Sequence, residues 1–228
     1  MPEKGVFLQV RIASSRLAAK ALLPLGDKPV IVHAMEALRS VPADQFWLVT
    51  DRESVSRLEK PARSCGFRVF AGDEHDVLKR FCEAADHTGV DIIVRATGDN
   101  PLVSGAVAGE ALDLQSESGA DYAGITGTPL GTGVEILRSA ALRNLQARTT
   151  DPYEREHVSP GLYRDPARYR IVTRPVAEDL ACPDFRVTLD TPEDYARLQR
   201  LYRDLYRGSP PDLRELVAYA RRQLQRIA

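Results

Sequence analysis

Short runs of strand-forming residues alternate with helical stretches through the first half of the chain, and this alternation restricts the fold more than any other property of the sequence. Val6 to Val10 (VFLQV), Phe46 to Thr50 (FWLVT), Arg68 to Phe70 and Asp91 to Arg95 (DIIVR) read as strands. Stretches around 53–65 and 75–88 are helical in period. The segment Pro29 to Arg39 begins on a proline suited to a first helical turn, with Ile31, Met35 and Leu38 on one face. Strands separated by helices pair in parallel, because each helix carries the chain back over the sheet. An α/β fold with a mostly parallel sheet covered on both faces is therefore expected. After residue 120 the pattern loosens around glycines 124, 127, 131 and 133, which predicts a small inserted lobe. Val134 to Leu137 and Arg186 to Leu189 return to strand character. Thr191-Pro-Glu-Asp194 then supplies a capping threonine, a proline at the first helical position and acids at the positive helix end, so a helix should start at 192. Leu213, Leu216, Val217, Ala220 and Leu224 form the stripe of a last helix.

Composition narrows the function classes. With 31 basic and 32 acidic residues in 228, a formal charge of -1, the chain does not read as one that coats nucleic acid or an anionic membrane, and any anionic ligand must be held by a local cluster. No window approaches a membrane span, and MPEKGVFLQV lacks the apolar core of a signal peptide, so a cytoplasmic protein is expected. The three cysteines, Cys65, Cys82 and Cys182, show no paired spacing, and the four histidines show no i, i+4 pair. They read as reduced structural thiols, and metal chemistry would have to use carboxylates.

Three segments carry candidate chemistry. Arg11 to Lys20 (RIASSRLAAK) places three cations and two hydroxyls directly after the first strand, where an open α/β sheet binds its ligand. Such a loop can wrap a triphosphate and offset charge on a departing pyrophosphate, although it can equally be a solvated basic loop. It has neither the Walker A pattern nor the dinucleotide fingerprint. Arg95 to Leu102 (RATGDNPL) and Arg186 to Asp194 (RVTLDTPED) each set an aspartate, Asp99 and Asp190, just past an apolar strand. An aspartate there also serves as a turn or helix cap, but two from separate strands can share one Mg²⁺. Two carboxylates so close would repel one another without metal, raising the pKa of one.

These segments, together with Gly72 to Arg80 (GDEHDVLKR) and Arg155 to Val158 (REHV), resemble the cytidylyltransferases of the spore coat polysaccharide biosynthesis protein F group, relatives of the enzymes that make CMP-sialic acid and CMP-Kdo. The resemblance runs nearly end to end. It implies a Rossmann-like three-layer nucleotidyltransferase fold over residues 1–228, one domain with an acceptor-side and dimerisation lobe around 124–180. It further implies CTP as co-substrate, Mg²⁺, a homodimer, and a role in cell-surface polysaccharide or glycoconjugate synthesis. Arg11, Arg16 and Lys20 would act on the CTP phosphates, with Gln9, Ser14, Ser15 and Arg95 beside them. Glu74, Asp76 and Arg80 would face the base or ribose, Asp99 and Asp190 the metal, and Glu135, Arg155, Glu156 and His157 the acceptor. One departure stands out: relatives carry Met-Gly-Ser-Thr-Arg-Leu-Pro-Gly-Lys in the first loop, and Ala13 and Ala19 stand here for glycines, Ala18 for the proline. Alanine disfavours positive φ, so the loop should be more helical or less tightly wrapped.

The expected reaction is attack by an anionic oxygen of a small acceptor, an acidic sugar, phosphorylated metabolite or phosphonate, on the α-phosphorus of CTP, without a protein nucleophile. Two other functions fit the same sequence features. A nucleotide-sugar-dependent glycosyltransferase shares this kind of sheet and a carboxylate-bound metal, and a catalytically silent nucleotide-binding module would keep the fold without turnover.

Overall fold

Alternating side chains on the first strand set up two apolar layers. In the computed structural model, which describes residues 2–13 and 16–225, β1 (Lys4–Gln9) leads through a loop, a 3-10 turn at Lys20–Leu22 and a small hairpin, β2 (Pro24–Leu25) and β3 (Lys28–Pro29), into α1 (Val30–Leu38). Next come β4 (Gln45–Asp51), α2 (Val55–Ser64), β5 (Arg68–Gly72), α3 (Val77–Thr88), β6 (Ile92–Thr97) and α4 (Gly105–Ser118). The chain continues with β7 (Tyr122–Thr126), β8 (Glu135–Arg138), α5 (Ser139–Arg148), the short α6 (Pro152–His157) and α7 (Pro160–Tyr163), and β9 (Ile171–Pro175). Helices α8 (Pro192–Leu205) and α9 (Leu213–Gln225) close it. Val6 and Leu8 of β1 pack with Met35 of α1 and Leu112 of α4, while Phe7 between them packs with Phe81 of α3 and Leu142 of α5 on the other face. That is the period of two that a strand covered on both faces must have. A third cluster joins Leu25 of the hairpin to Leu198 of α8 and Leu216 of α9.

Seven strands form one sheet in the order β5-β4-β1-β6-β8-β7-β9. All pairs are parallel except those of β8, which runs antiparallel to both β6 and β7. The ends of β1, β4, β5 and β6 therefore lie along one rim, and β8 brings its first residue, Glu135, to the same rim opposite Arg95. Three strands of the main sheet thus come from residues after 120, where the sequence pattern is loosest.

The helix start at 192 is as the sequence predicts. Pro192 is the first helical residue, and Thr191 and Asp194 form a reciprocal capping box. Pro29 lies one residue outside α1, as its N-cap. The strand expected at 186–189 is not part of the sheet. Only Arg186 makes a single bridge, to Leu130. Val187 and Leu189 are buried in the third cluster, and their N–H groups donate to Leu130 O (2.8 Å) and Asp99 O (3.0 Å). The segment reads as a strand because it is extended and half apolar, but its backbone is satisfied by two loops. Among the described residues no helix is long and apolar enough to cross a membrane.

Candidate active site

At the rim where β1 and β6 end lies a cavity of about 620 Å³. Five basic side chains line it, Arg11, Arg16, Lys20, Arg80 and Arg95, against three carboxylates, Asp99, Glu156 and Asp190. A chain of net charge -1 thus concentrates positive charge at one place, which suits a polyanion. Gly98 allows the close approach of the two strand ends. A Cβ there would meet Ile31 Cδ1 at 2.5 Å and Val10 Cβ at 2.9 Å, and its N–H donates to Gln9 O at 2.8 Å. The first loop is tied down where it leaves β1: Ile12 N–H donates to Ser54 Oγ (2.9 Å), which donates to the buried Asp51 at the end of β4 (2.7 Å). Ser14 and Ser15 lie outside the described residues. Ala19 takes φ 49°, ψ 34°, the left-handed conformation that a glycine adopts freely, and a 3-10 turn begins at Lys20. Ala13 needs no positive φ.

Asp99 and Asp190 converge. Lys20 Nζ donates to Asp99 Oδ2 at 2.7 Å and to Asp190 Oδ1 at 2.8 Å, so both carboxylates lie within reach of one cation. The pairing follows from the backbone, because the Leu189 N–H bond to Asp99 O sets the two aspartates side by side. Asp190 also accepts from Arg16 (3.2 Å) and from Arg186 (2.5 Å, at Oδ2). Its pKa is therefore not raised by a repelling neighbour, as the sequence alone implies, but lowered. Burial pushes it up, and the hydrogen bond and charge of Lys20, with the charges of Arg16 and Arg186, outweigh that. Two carboxylates are a hard oxygen donor set, and among the described residues no group of three or more His, Cys, Asp or Glu can hold a metal. Such a pair fits a cation like Mg²⁺ whose shell is completed by phosphate and water, and it does not fit zinc.

Arg80 is 1 % exposed, yet among the described residues it has no carboxylate partner. Its Nη1 donates to Asp73 O at 2.7 Å, its Nε has no partner, and burial lowers its pKa. Asp76 and Arg155 pair with one another and do not line the cavity. Asp76 caps α3 by accepting Lys79 N–H at 2.9 Å, and Arg155 also donates to Thr149 O at 2.8 Å. Glu74 is likewise outside the lining, whereas its neighbour His75 is within it. Arg95 spends its guanidinium on Gln9 Oε1 (Nη2, 2.9 Å) and on Glu135, which accepts in turn from Ser159 Oγ (2.7 Å) and Tyr122 OH (3.3 Å). Glu135 is thus the brace of a network that holds Arg95 and Gln9 in the wall.

Glu156 and His157, at the end of α6, line the cavity and are exposed. The next residue, Val158, is fully buried at φ 70°, ψ −63°, and Ser159 N–H donates across it to His157 O at 2.9 Å. This is a γ-turn of the positive-φ kind, strained for any residue and more so for a β-branched one. It lets one short connection send His157 into the cavity and Ser159 to Glu135.

The sequence and the fold that build this cavity are shared with known proteins. The sequence signature described as Cytidylyltransferase matches residues 6–222. The chain belongs to the cytidylyltransferase family. It is 32 % identical over 213 residues to the spore coat polysaccharide biosynthesis protein SpsF of Bacillus subtilis, covering 90 % of this chain and 88 % of that one. A solved cytidylyltransferase from Leptospira borgpetersenii superposes with a TM-score of 0.89 at 25 % identity, over 99 % of this chain and 96 % of that one. The fold is also that of a CMP:2-keto-3-deoxy-manno-octonic acid synthetase solved with CTP, at TM-score 0.69 and 20 % identity over 89 % and 99 % of the two chains. The protein is a CTP-dependent nucleotidyltransferase. The Cys82 thiol is buried and its pKa pushed up to about 12 by desolvation, which leaves it no nucleophilic character.

Sequence reasoning missed two groups. Arg186 carries no signal of its own, since it reads as the polar start of a strand. Ser54 and Asp51 matter through a bond to a backbone amide 42 positions away, and no local pattern marks such a bond.

Proposed function

We propose that this cytidylyltransferase transfers CMP from CTP to a small anionic acceptor, an acidic sugar, phosphorylated metabolite or phosphonate, in the cytoplasm, for cell-surface polysaccharide or glycoconjugate synthesis. The observation that carries the reading is the convergence of Lys20, Asp99 and Asp190 at the mouth of a cavity rich in arginine. Arg11 and Arg16, exposed on the first loop, hold the triphosphate. Arg80, a buried cation with no carboxylate partner among the described residues, meets the base or ribose, and Gln9 and Arg95 line the same cavity. Glu156 and His157 face the acceptor from α6, while Glu135, Arg155 and Asp76 act at one remove by bracing that side. Asp99 and Asp190 would hold Mg²⁺, whose contribution when bound is to offset charge on the phosphates.

The acceptor's anionic oxygen attacks the α-phosphorus in line. A new O–P bond forms as the bond to the bridging oxygen breaks, and the electron pair departs on pyrophosphate. Because the nucleophile is already ionised, the protein's task is to position it and to stabilise the leaving charge with Arg11, Arg16 and Lys20. The test is release of pyrophosphate from CTP and Mg²⁺ across a panel of acidic sugars, phosphorylated metabolites and phosphonates. Release that depends on one acceptor class and on CTP supports the reading. Binding of CTP with no release across the panel would remove it. We also propose a homodimer, which a light-scattering mass near the 25.2 kDa of one chain would overturn.

A further inference from the structure

The aspartates assigned above to the metal are not vacant of positive charge. Lys20 Nζ sits between them, 2.7 Å from Asp99 Oδ2 and 2.8 Å from Asp190 Oδ1, with its side chain 15 % exposed. One ammonium there takes the place, and neutralises much of the charge, that a divalent ion would. The other oxygen of Asp190 belongs to Arg186, whose Nη2 is 2.5 Å from Oδ2. The two cations are anchored differently. Arg186 leans also toward Asp194 Oδ2 (3.8 Å), and that oxygen accepts the N–H groups of Asp190 (2.9 Å) and Thr191 (3.1 Å) at the start of α8. Arg197 holds the second oxygen of Asp194 at 2.6 Å. Arg186 thus links Asp190 to the capped start of α8, whereas Lys20 reaches in from the first loop.

We propose that Lys20 is the resident cation of the metal position and Arg186 its positioning residue. In the nucleotide-free protein Lys20 excludes a divalent ion. It gives up the place when the ion arrives with the triphosphate, whose oxygens then take the ammonium. Arg186 stays on Asp190 Oδ2 and keeps Oδ1 turned toward Asp99. Without the triphosphate the displaced ammonium would give up both of its short carboxylate contacts in a cavity already lined by four arginines, so binding of the bare ion is opposed. Metal and CTP then bind with positive coupling, each raising the affinity of the other by the same factor. The inference rests on the reading that Asp99 and Asp190 hold the metal, and its test separates the two.

The experiment is Mn²⁺ binding followed by the electron paramagnetic resonance of the free ion, with and without CTP and with no acceptor present. Wild type should bind Mn²⁺ weakly alone and much more tightly with CTP. Lys20→Met should bind Mn²⁺ alone about tenfold more tightly than wild type or better, and lose most of the coupling to CTP. Asp190→Asn in the Lys20→Met background should abolish that gain. Arg186→Met should weaken Mn²⁺ binding in the presence of CTP with CTP binding itself little changed. If Lys20→Met gains nothing while CTP still recruits Mn²⁺ to wild type through Asp190, the displacement is refuted and the metal assignment stands. If wild type binds no Mn²⁺ even with CTP, the metal assignment fails and the inference with it. Should Lys20→Met not fold, Lys20→Gln is measured in its place and decides in the same way.

Discussion

Replacing Asp190 by asparagine should destabilise the nucleotide-free protein more than the same change at Asp99. Asp190 accepts from Lys20, Arg16 and Arg186, with side-chain exposures of 15 %, 67 % and 43 % against its own 18 %. A charge-assisted hydrogen bond contributes about 1.5–3 kcal/mol when shielded, and an exposed ion pair about 0–1 kcal/mol. Lys20 would keep its bond to Asp99, so its contact counts for about 1 kcal/mol, and the two exposed arginine contacts, which only Asp190 makes, add about 1 kcal/mol between them, so Asp190→Asn should cost about 2 kcal/mol. Among the described residues Asp99 pairs with Lys20 alone, which would keep its bond to Asp190, so Asp99→Asn should cost about 1 kcal/mol. For a chain of this size that is a fall in Tm of roughly 4–8 °C against roughly 2–4 °C. Thermal unfolding at pH 7 without nucleotide measures both. The sign with pH follows from the lowered pKa of Asp190. Its stabilisation is complete above the unfolded carboxyl value of about 3.9 and is lost as pH falls through the lower folded value, so the Asp190→Asn deficit should close in acid. A rise in Tm on Asp190→Asn, or a larger loss from Asp99→Asn, would refute the view that cations and not mutual repulsion govern this pair.

Arg80→Met should leave Tm unchanged or raise it, because a buried cation without a carboxylate partner is costly, yet weaken CTP binding by about tenfold or more in calorimetry. Retained affinity would take Arg80 out of the nucleotide site. Ala19→Gly should alter stability by less than about 1 kcal/mol, since relief of the left-handed strain is offset by glycine's greater entropy loss, whereas Ala19→Val should lower both Tm and turnover. His33 is buried with Nε2 donating to Leu25 O at 2.7 Å, and burial lowers its pKa from 6.5. The unfolded chain then binds the proton first, so stability should be full above pH 6.5 and fall as pH drops below it. Tm measured from pH 7.5 to 5.5 should fall less in a folded His33→Gln variant than in wild type.

The parallel half of the sheet and the helix at Pro192 were legible because local pattern decides them: apolar runs in one case, a capping box in the other. Strands β7 and β9 were not. Tyr122–Thr126 carries a glycine, and Ile171–Pro175 is a largely polar edge strand ending in proline, so neither shows an apolar run. The segment 186–189 failed in the opposite sense, being apolar and extended but bonded to loops. Asp99, Asp190 and the loop cations, which line the cavity, were legible from their places after strand-like runs. Asp76, Arg155 and Glu135 were drawn toward ligands because a sequence shows that a charge is present but not which other charge it meets. The structure pairs Asp76 with Arg155 and Glu135 with Arg95.

The γ-turn at Val158 has a counterpart in the first loop. Among the described residues only Ala19 and Val158 are non-glycine residues with positive φ, and one precedes Lys20 while the other follows His157. Conformational strain of roughly 1–3 kcal/mol per residue therefore sits next to two residues that line the cavity, Lys20 and His157, and nowhere else of this kind in the described chain. Its release does not require the sheet to open. The free energy of local opening should accordingly be lower at these two positions than in β1 or β6, and backbone amides such as those of Lys20 and Ser159 should exchange with solvent well before those of Leu8 and Val94. The mouth can then breathe to admit a nucleotide and an acceptor while the floor beneath stays shut.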